Sequence, residues 1–82
     1  MMLVIYSKDA CPKCTQLENL LKSRDYKFTI LKLDKDYTRE NLADKFTLLN
    51  LNQPREFPIL FKGDVLIGGL VDAKVAMIEK RL

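Results

Sequence analysis

The sequence contains no histidine and only two cysteines. The missing histidine removes the commonest general base and the commonest metal ligand in proteins. Two cysteines are too few for a small secreted protein held together by disulfides, which carries about four or more along its chain. Three glycines and three prolines are likewise too few for a fibrous or low-complexity chain. We therefore expect a globular protein of a reducing compartment, namely the cytoplasm.

Long apolar runs and a strong charge of one sign are missing as well. No run approaches the ~18 apolar residues that span a bilayer, and the apolar residues 1–5 carry neither a basic leader nor a cleavage site. Fourteen lysines and arginines oppose 11 acidic residues, which gives a net charge of +3 without a long basic run. We expect no membrane segment and no nucleic-acid partner, while the mild positive charge can steer anionic small molecules.

The length and composition suit one small soluble domain. The chain has 82 residues, of which 48% are hydrophobic and 30% are charged. A domain of this size buries roughly 60–65% of the surface that its unfolded chain exposes. That is enough for one core but not for a second lobe or a deep cavity. We expect a single domain over residues 1–82, complete as it stands and monomeric.

The hydrophobic pattern predicts the element order β-α-β-α-β-β-α. Strands are predicted at residues 3–6, 27–34, 58–61 and 65–67. The first helix is predicted to begin at Pro12, and the second to follow Thr38 as its cap. The third is predicted to run from an Asp72 cap to Lys80, and one of its faces carries Val75, Ile78 and Leu82. The first two strands should be parallel through a right-handed crossover, and the last two should form a hairpin. The expected fold class is α/β, with a four-stranded mixed sheet flanked by three helices.

Both cysteines lie in the segment Cys11-Pro12-Lys13-Cys14, at the start of the first predicted helix. A helix start presents unsatisfied N–H groups and favours negative charge, so it should lower the pKa of Cys11 below the ordinary value of about 8.5. Lys8 and Lys13 add positive charge nearby. Cys14 lies one turn further on the same side, within the apolar stripe, so it should reach Cys11 and be the more buried thiol. The segment predicts a redox pair in which Cys11 is the nucleophile and Cys14 resolves the mixed disulfide.

Three other interpretations of the cysteine pair remain open. A structural disulfide is one, although so short a loop contributes little chain entropy. A zinc or iron–sulfur site shared by two chains is another, because two cysteines supply only half of the four ligands that zinc requires. Inert core thiols are the third, although Cys11 lies at a polar helix start.

Three separated segments make the sequence resemble the glutaredoxins, small dithiol proteins of the thioredoxin superfamily. Residues 6–14, YSKDACPKC, resemble the strand, loop and active-site segment of that family, with a lysine three residues before the first cysteine. Phe57-Pro58 stands where the family has its cis-proline. Gly68-Gly69 and Asp72 match its double glycine and the aspartate that opens its last helix. The resemblance covers nearly the whole chain and implies a thioredoxin-like fold and glutathione-linked disulfide reduction.

The resemblance also implies a glutathione groove, with glutathione as co-substrate and no tightly bound cofactor. Its implied residues are Lys8, Lys13, Arg39, Phe57, Pro58, Gly68, Gly69, Val71 and Asp72. The backbone of Phe57, before a cis peptide bond, would pair with the cysteinyl unit, and the two glycines would admit the tripeptide backbone. The N–H of Val71 and the carboxylate of Asp72, at a helix start, would hold the γ-glutamyl end. Lys8 would hold the glycine carboxylate, with Arg39 as the second candidate.

Three departures from the family pattern keep a second electron source open. Lys13 replaces an aromatic residue that is common between the cysteines. Glu56-Phe57-Pro58 replaces Thr-Val-Pro, and an acid at Glu56 could repel anionic glutathione. The loop over residues 49–55 is longer, so Gln53 or Arg55 could reach the site. We expect reduction of protein disulfides, including that of a ribonucleotide reductase, or of glutathione mixed disulfides; the alternative is a redoxin recharged by thioredoxin reductase.

Overall fold

The four predicted strands form one sheet in the computed structural model, which describes residues 2–82. The strands are β1 (Leu3–Ser7), β2 (Phe28–Lys32), β3 (Ile59–Lys62) and β4 (Val65–Gly68), and the helices are α1 (Pro12–Ser23), α2 (Arg39–Leu48) and α3 (Leu70–Ile78). The order of the strands across the sheet is β2-β1-β3-β4. Strand β1 is parallel to β2 and antiparallel to β3, and β3 and β4 form a hairpin. The predicted element order and the mixed sheet are confirmed.

The first two helices begin where their capping residues predict. Pro12 occupies the first turn of α1, where its missing N–H does no harm, and Cys11 is the N-cap. Thr38 caps α2: its hydroxyl accepts a hydrogen bond from the N–H of Asn41, whose side chain accepts one from the N–H of Thr38. Both bonds measure 3.0 Å. This reciprocal pair satisfies two backbone donors and fixes the start of α2.

The sheet buries both of its faces, because helices cover it on two sides. On one face the strands pack against α1 and α3, in a cluster of Leu3, Ile5, Leu17, Leu21, Leu60 and Ala73. On the other face they pack against α2, in a cluster of Tyr37, Leu42, Phe46, Ile59 and Phe61 that also includes Cys14 and Phe57. Successive residues of β3 therefore point into different clusters, as the pleat of a strand requires. The second cluster connects the redox segment to the segment before β3.

The prediction for α3 was wrong in its cap and in its buried face. The helix begins at Leu70 with Gly69 as N-cap, and Asp72 stands in its first turn, where its carboxylate accepts a hydrogen bond from the N–H of Gly69. Gly69 has an extended backbone directly after the strand, so the helix starts without an intervening loop.

The buried face of α3 carries small rather than large side chains. Ala73 and Ala76 are fully buried, whereas Val75 and Ile78 are 42% and 81% exposed. Of the three residues predicted to face the core, only Leu82 is partly buried. Alanine side chains let a helix backbone lie close to its neighbours, which a pattern of large aliphatic residues cannot indicate.

Among residues 2–82, no helix is long and apolar enough to cross a membrane.

Candidate active site

Cys11 and Cys14 form a disulfide, with their Cα atoms 5.3 Å apart. The sulfur of Cys11 accepts a hydrogen bond from the backbone N–H of Cys14 at 3.2 Å. Cys14 is buried, with 5% of its surface exposed, whereas Cys11 is only partly buried. The predicted reach of the two sulfurs and their order of exposure are confirmed. A thiolate at Cys11 would accept the same N–H, and the helix start would favour its negative charge.

A buried tyrosine anchors the strand that leads into the redox segment. The backbone carbonyl of Ser7, the last residue of β1, accepts hydrogen bonds from the hydroxyl of Tyr37 at 2.7 Å and from the N–H of Leu33 at 2.9 Å. Burial raises the pKa of Tyr37 to about 12, so its hydroxyl remains a donor even above the ordinary tyrosine pKa of about 10. The ring of Tyr37 also packs edge-on against Tyr6, with centroids 5.0 Å apart. These contacts fix where the chain leaves the sheet toward Cys11, and no sequence motif marks Tyr37 for this role.

The segment before β3 forms the wall opposite α1. The peptide bond between Phe57 and Pro58 is cis, as the resemblance implies. Phe57 is buried, and the ammonium of Lys8 lies 5.5 Å from its ring centroid, which is a cation–π geometry. The predicted cation Lys8 is thus held beside the predicted cis-proline segment.

A cleft beside Cys11 shares part of its lining with a second cleft further along the groove. The thiol cleft is lined by Lys8, Ala10, Cys11, Pro12, Gln16 and Arg55. The glycine cleft is lined by Pro58, Gly69, Leu70, Val71 and Asp72. Lys13, Glu56 and Phe57 line both clefts. The fold therefore brings most of the predicted groove residues to one surface.

Some predicted residues lie elsewhere, and some lining residues were missed. Arg39 begins α2 and lines neither cleft as residues 2–82 form them. Of the two loop candidates, Arg55 lines the thiol cleft and Gln53 does not. Gln16 was not predicted, although its position on α1 beyond Lys13 would have placed it there. Gly68 also lines neither cleft within the described residues.

The two glycines have different reasons to lack a side chain. Gly68 has φ +120°, and a Cβ there would lie 2.7 Å from Cγ and 2.9 Å from Cβ of Asp72. A Cβ on Gly69 would meet nothing closer than the carbonyl of Pro58 at 3.7 Å. Gly68 thus makes room for Asp72, while Gly69 leaves open backbone in the glycine cleft.

An ion pair joins the two walls at the boundary of the clefts. The ammonium of Lys13 lies 3.5 Å from the carboxylate of Glu56, and both side chains are exposed. Each residue is one of the departures from the family pattern.

Within residues 2–82, no three histidine, cysteine or acidic side chains are grouped so that they could hold a metal ion.

Comparisons with known proteins agree with this geometry. The family model described as glutaredoxin matches residues 3–67. The fold superposes on glutaredoxin 1 from Francisella tularensis with a TM-score of 0.74 at 18% identity, over 98% of this chain and 95% of that one. It superposes equally, with a TM-score of 0.74, on buckwheat glutaredoxin in complex with glutathione, at 25% identity over 98% of this chain and 71% of that one.

A third similar structure is a protein with a stated activity. It is the glutaredoxin-like NrdH-redoxin from Escherichia coli, described as having a thioredoxin-like activity profile, with a TM-score of 0.66 at 18% identity over 95% of both chains. The family match spans most of the chain and includes the Cys11–Cys14 disulfide and the cis-proline segment. With this fold and this cysteine pair, the chain belongs to the glutaredoxin family of thiol–disulfide oxidoreductases.

Proposed function

We propose that the protein is a cytoplasmic, monomeric glutathione-linked dithiol oxidoreductase that reduces protein disulfides and glutathione mixed disulfides. One observation carries the proposal: the glycine cleft adjoins the thiol cleft beside the cis-proline segment and ends at the open backbone of Gly69 and the start of α3. A tripeptide thiol bound there has its sulfur beside Cys11.

Cys11 begins the reaction, because it is the more exposed sulfur and accepts the N–H of Cys14. Its thiolate attacks one sulfur of the substrate disulfide, and the other substrate sulfur leaves as a thiolate. The thiol of Cys14 loses its proton and attacks Cys11, which releases the second substrate thiol and leaves the Cys11–Cys14 disulfide. Two glutathione molecules reverse this state. The thiolate of the first attacks Cys11, which forms a mixed disulfide and releases Cys14 as a thiolate. The thiolate of the second attacks the glutathione sulfur of that mixed disulfide, so that glutathione disulfide leaves and Cys11 is released as a thiolate.

The groove residues support binding of the tripeptide in one direction. The backbone of Phe57 offers an extended edge to the cysteinyl unit, and the γ-glutamyl end lies toward Val71 and Asp72. The N–H groups at the start of α3 suit its carboxylate, and the carboxylate of Asp72 suits its ammonium. Lys8, held over the ring of Phe57, takes the glycine carboxylate. Because Arg39 lines neither cleft, the proposal gives that role to Lys8 alone.

The test compares two electron sources for the same substrate disulfide. One arm contains glutathione and glutathione reductase, and the other contains thioredoxin reductase without glutathione. We expect turnover in the first arm; no turnover there would contradict the proposal. Turnover only in the second arm would establish the other candidate, a redoxin recharged by thioredoxin reductase, which the Lys13–Glu56 pair in the groove favours.

The same protein tests two further expectations. A disulfide of ribonucleotide reductase, supplied as substrate in the first arm, tests whether that enzyme is a partner. Stoichiometric iron or zinc in protein purified without oxygen would instead support a metal site shared by two chains through Cys11.

A further inference from the structure

Lys13 and Glu56 approach each other across the boundary of the two clefts. Lys13 extends from α1, two residues after Cys11, and Glu56 extends from the loop just before the cis peptide bond. Their charged atoms lie 3.5 Å apart, with side chains that are 61% and 80% exposed. Because both residues line both clefts, a ligand that extends from Cys11 into the glycine cleft passes directly beside this pair.

The two charges act on such a ligand with opposite sign. Glu56 is the one acidic residue that lines the thiol cleft described above, where Lys8 and Arg55 are cationic. In the closed pair, each charge offsets the other. When a ligand separates the two side chains, Lys13 attracts a ligand carboxylate and Glu56 repels it. A ligand cation is attracted by Glu56 and repelled by Lys13.

We propose that Lys13 and Glu56 are specificity-determining residues, and that Glu56 disfavours net-negative thiols such as glutathione relative to neutral or cationic ones. The inference rests on the proposed binding of glutathione in this groove. Exposed charge pairs contribute about 0.2–1 kcal/mol, which corresponds to rate effects of about 1.4- to 5-fold. The pair therefore adjusts selectivity and does not block the groove.

The test measures how fast two thiols reduce the Cys11–Cys14 disulfide of the oxidised protein. The thiols are glutathione, which is net negative, and glutathione diethyl ester, which is net positive because both carboxylates are esterified. Each second-order rate constant is obtained by acid quenching and chromatography of the reduced and oxidised protein. The ratio of the two constants for one variant cancels any change in the reactivity of the disulfide itself.

Glu56→Gln should raise the glutathione-to-ester ratio by about 1.4- to 5-fold, and Lys13→Gln should lower it by a similar factor. The double variant should return close to the original ratio. In about 1 M salt, where charges are screened beyond ~3 Å, the single-variant effects should shrink. Glu79→Gln is the matched control, because it removes one acid from an exposed ion pair with Arg81 beyond the far end of α3.

Unchanged ratios in both single variants would overturn the inference. A lower glutathione-to-ester ratio in Glu56→Gln would also overturn it. So would a change of that ratio in Glu79→Gln as large as the change in Glu56→Gln, because the effect would then come from net charge alone. Failure of the proposed function has a separate signature: glutathione would reduce the wild-type disulfide no faster than 2-mercaptoethanol. The two failures are distinguishable. Failure of the proposed function shows in the absolute rate constant of the wild-type protein, and failure of this inference shows in unchanged glutathione-to-ester ratios of the variants.

Discussion

Replacing Gly68 by alanine should destabilise the protein far more than replacing Gly69. At Gly68 the backbone has φ +120°, which a residue with a Cβ rarely adopts. The added methyl would also lie 2.9 Å from the Cβ of Asp72, an atom fixed by the backbone of α3 that cannot rotate away. Either the end of β4 or the first turn of α3 must therefore move.

The cost has two parts. Holding a non-glycine residue in this backbone region costs about 1–3 kcal/mol. Displacing Asp72 loses the 3.0 Å hydrogen bond that its carboxylate accepts from Gly69, which is a helix cap of about 1 kcal/mol. The sum of about 2–4 kcal/mol corresponds to a fall in Tm of roughly 10–30 °C for a domain of this size.

Thermal unfolding of both alanine variants, followed by circular dichroism, checks this expectation. Gly69 has φ −90° and ψ −161°, which alanine tolerates, and its methyl would have no contact closer than 3.7 Å. Gly69→Ala should therefore cost only about 0.5–1 kcal/mol, as expected for alanine at an N-cap. Equal Tm values for the two variants would refute the reasoning.

Three further predictions concern the thiols, the helix cap and the buried phenol. Cys11→Ser should lose all disulfide exchange, whereas Cys14→Ser should still reduce glutathione mixed disulfides in the coupled assay; the reverse pattern would exchange their roles. Thr38→Ala should lower the free energy of unfolding in urea by about 1 kcal/mol, and an unchanged value would mean that the cap is not formed in solution. Tyr37→Phe, which removes the hydrogen bond to Ser7, should cost about 0.5–1.5 kcal/mol at pH 7. Because the folded-state pKa of Tyr37 is about 12 and the unfolded value is about 10, the stabilisation is complete below pH 10 and is lost by pH 12. Urea unfolding from pH 8 to 12 should thus show the stability of the wild-type protein falling relative to that of Tyr37→Phe above pH 10, and a constant difference would contradict the shift.

Local signals were enough to predict most of the fold. The apolar run of β1, the proline at the start of α1 and the Thr38 cap of α2 each lie within a few residues, and each is where the pattern indicates. The start of α3 was misjudged because Asp72 is a competent cap by itself. Only the extended backbone of Gly69 shows that the helix begins earlier.

The parts of the candidate site that lie within one short segment could be predicted from the sequence. The contacts between segments far apart in the sequence could not. Cys11 and Cys14 are three residues apart, so helix geometry alone places their sulfurs together. Lys13 and Glu56 are 43 residues apart, and Tyr37 and Ser7 are 30 apart. Neither pair has a sequence signature, because each depends on how the loops before β3 and α2 return to the sheet.

The position of β1 between β2 and β3 has a consequence for how reactivity arises. Tyr6 pairs with Ile59, so the central strand pair joins segments that are far apart in the sequence, and the chain between them must close into a loop before the wall opposite α1 exists. In an unfolded chain the two cysteines are ordinary thiols with a pKa of about 8.5. The start of α1, which favours a thiolate at Cys11, is formed by neighbouring residues, whereas the groove beside that thiolate requires the closed sheet. Reactivity at Cys11 therefore depends on one helix, whereas selectivity for its substrates depends on the whole sheet.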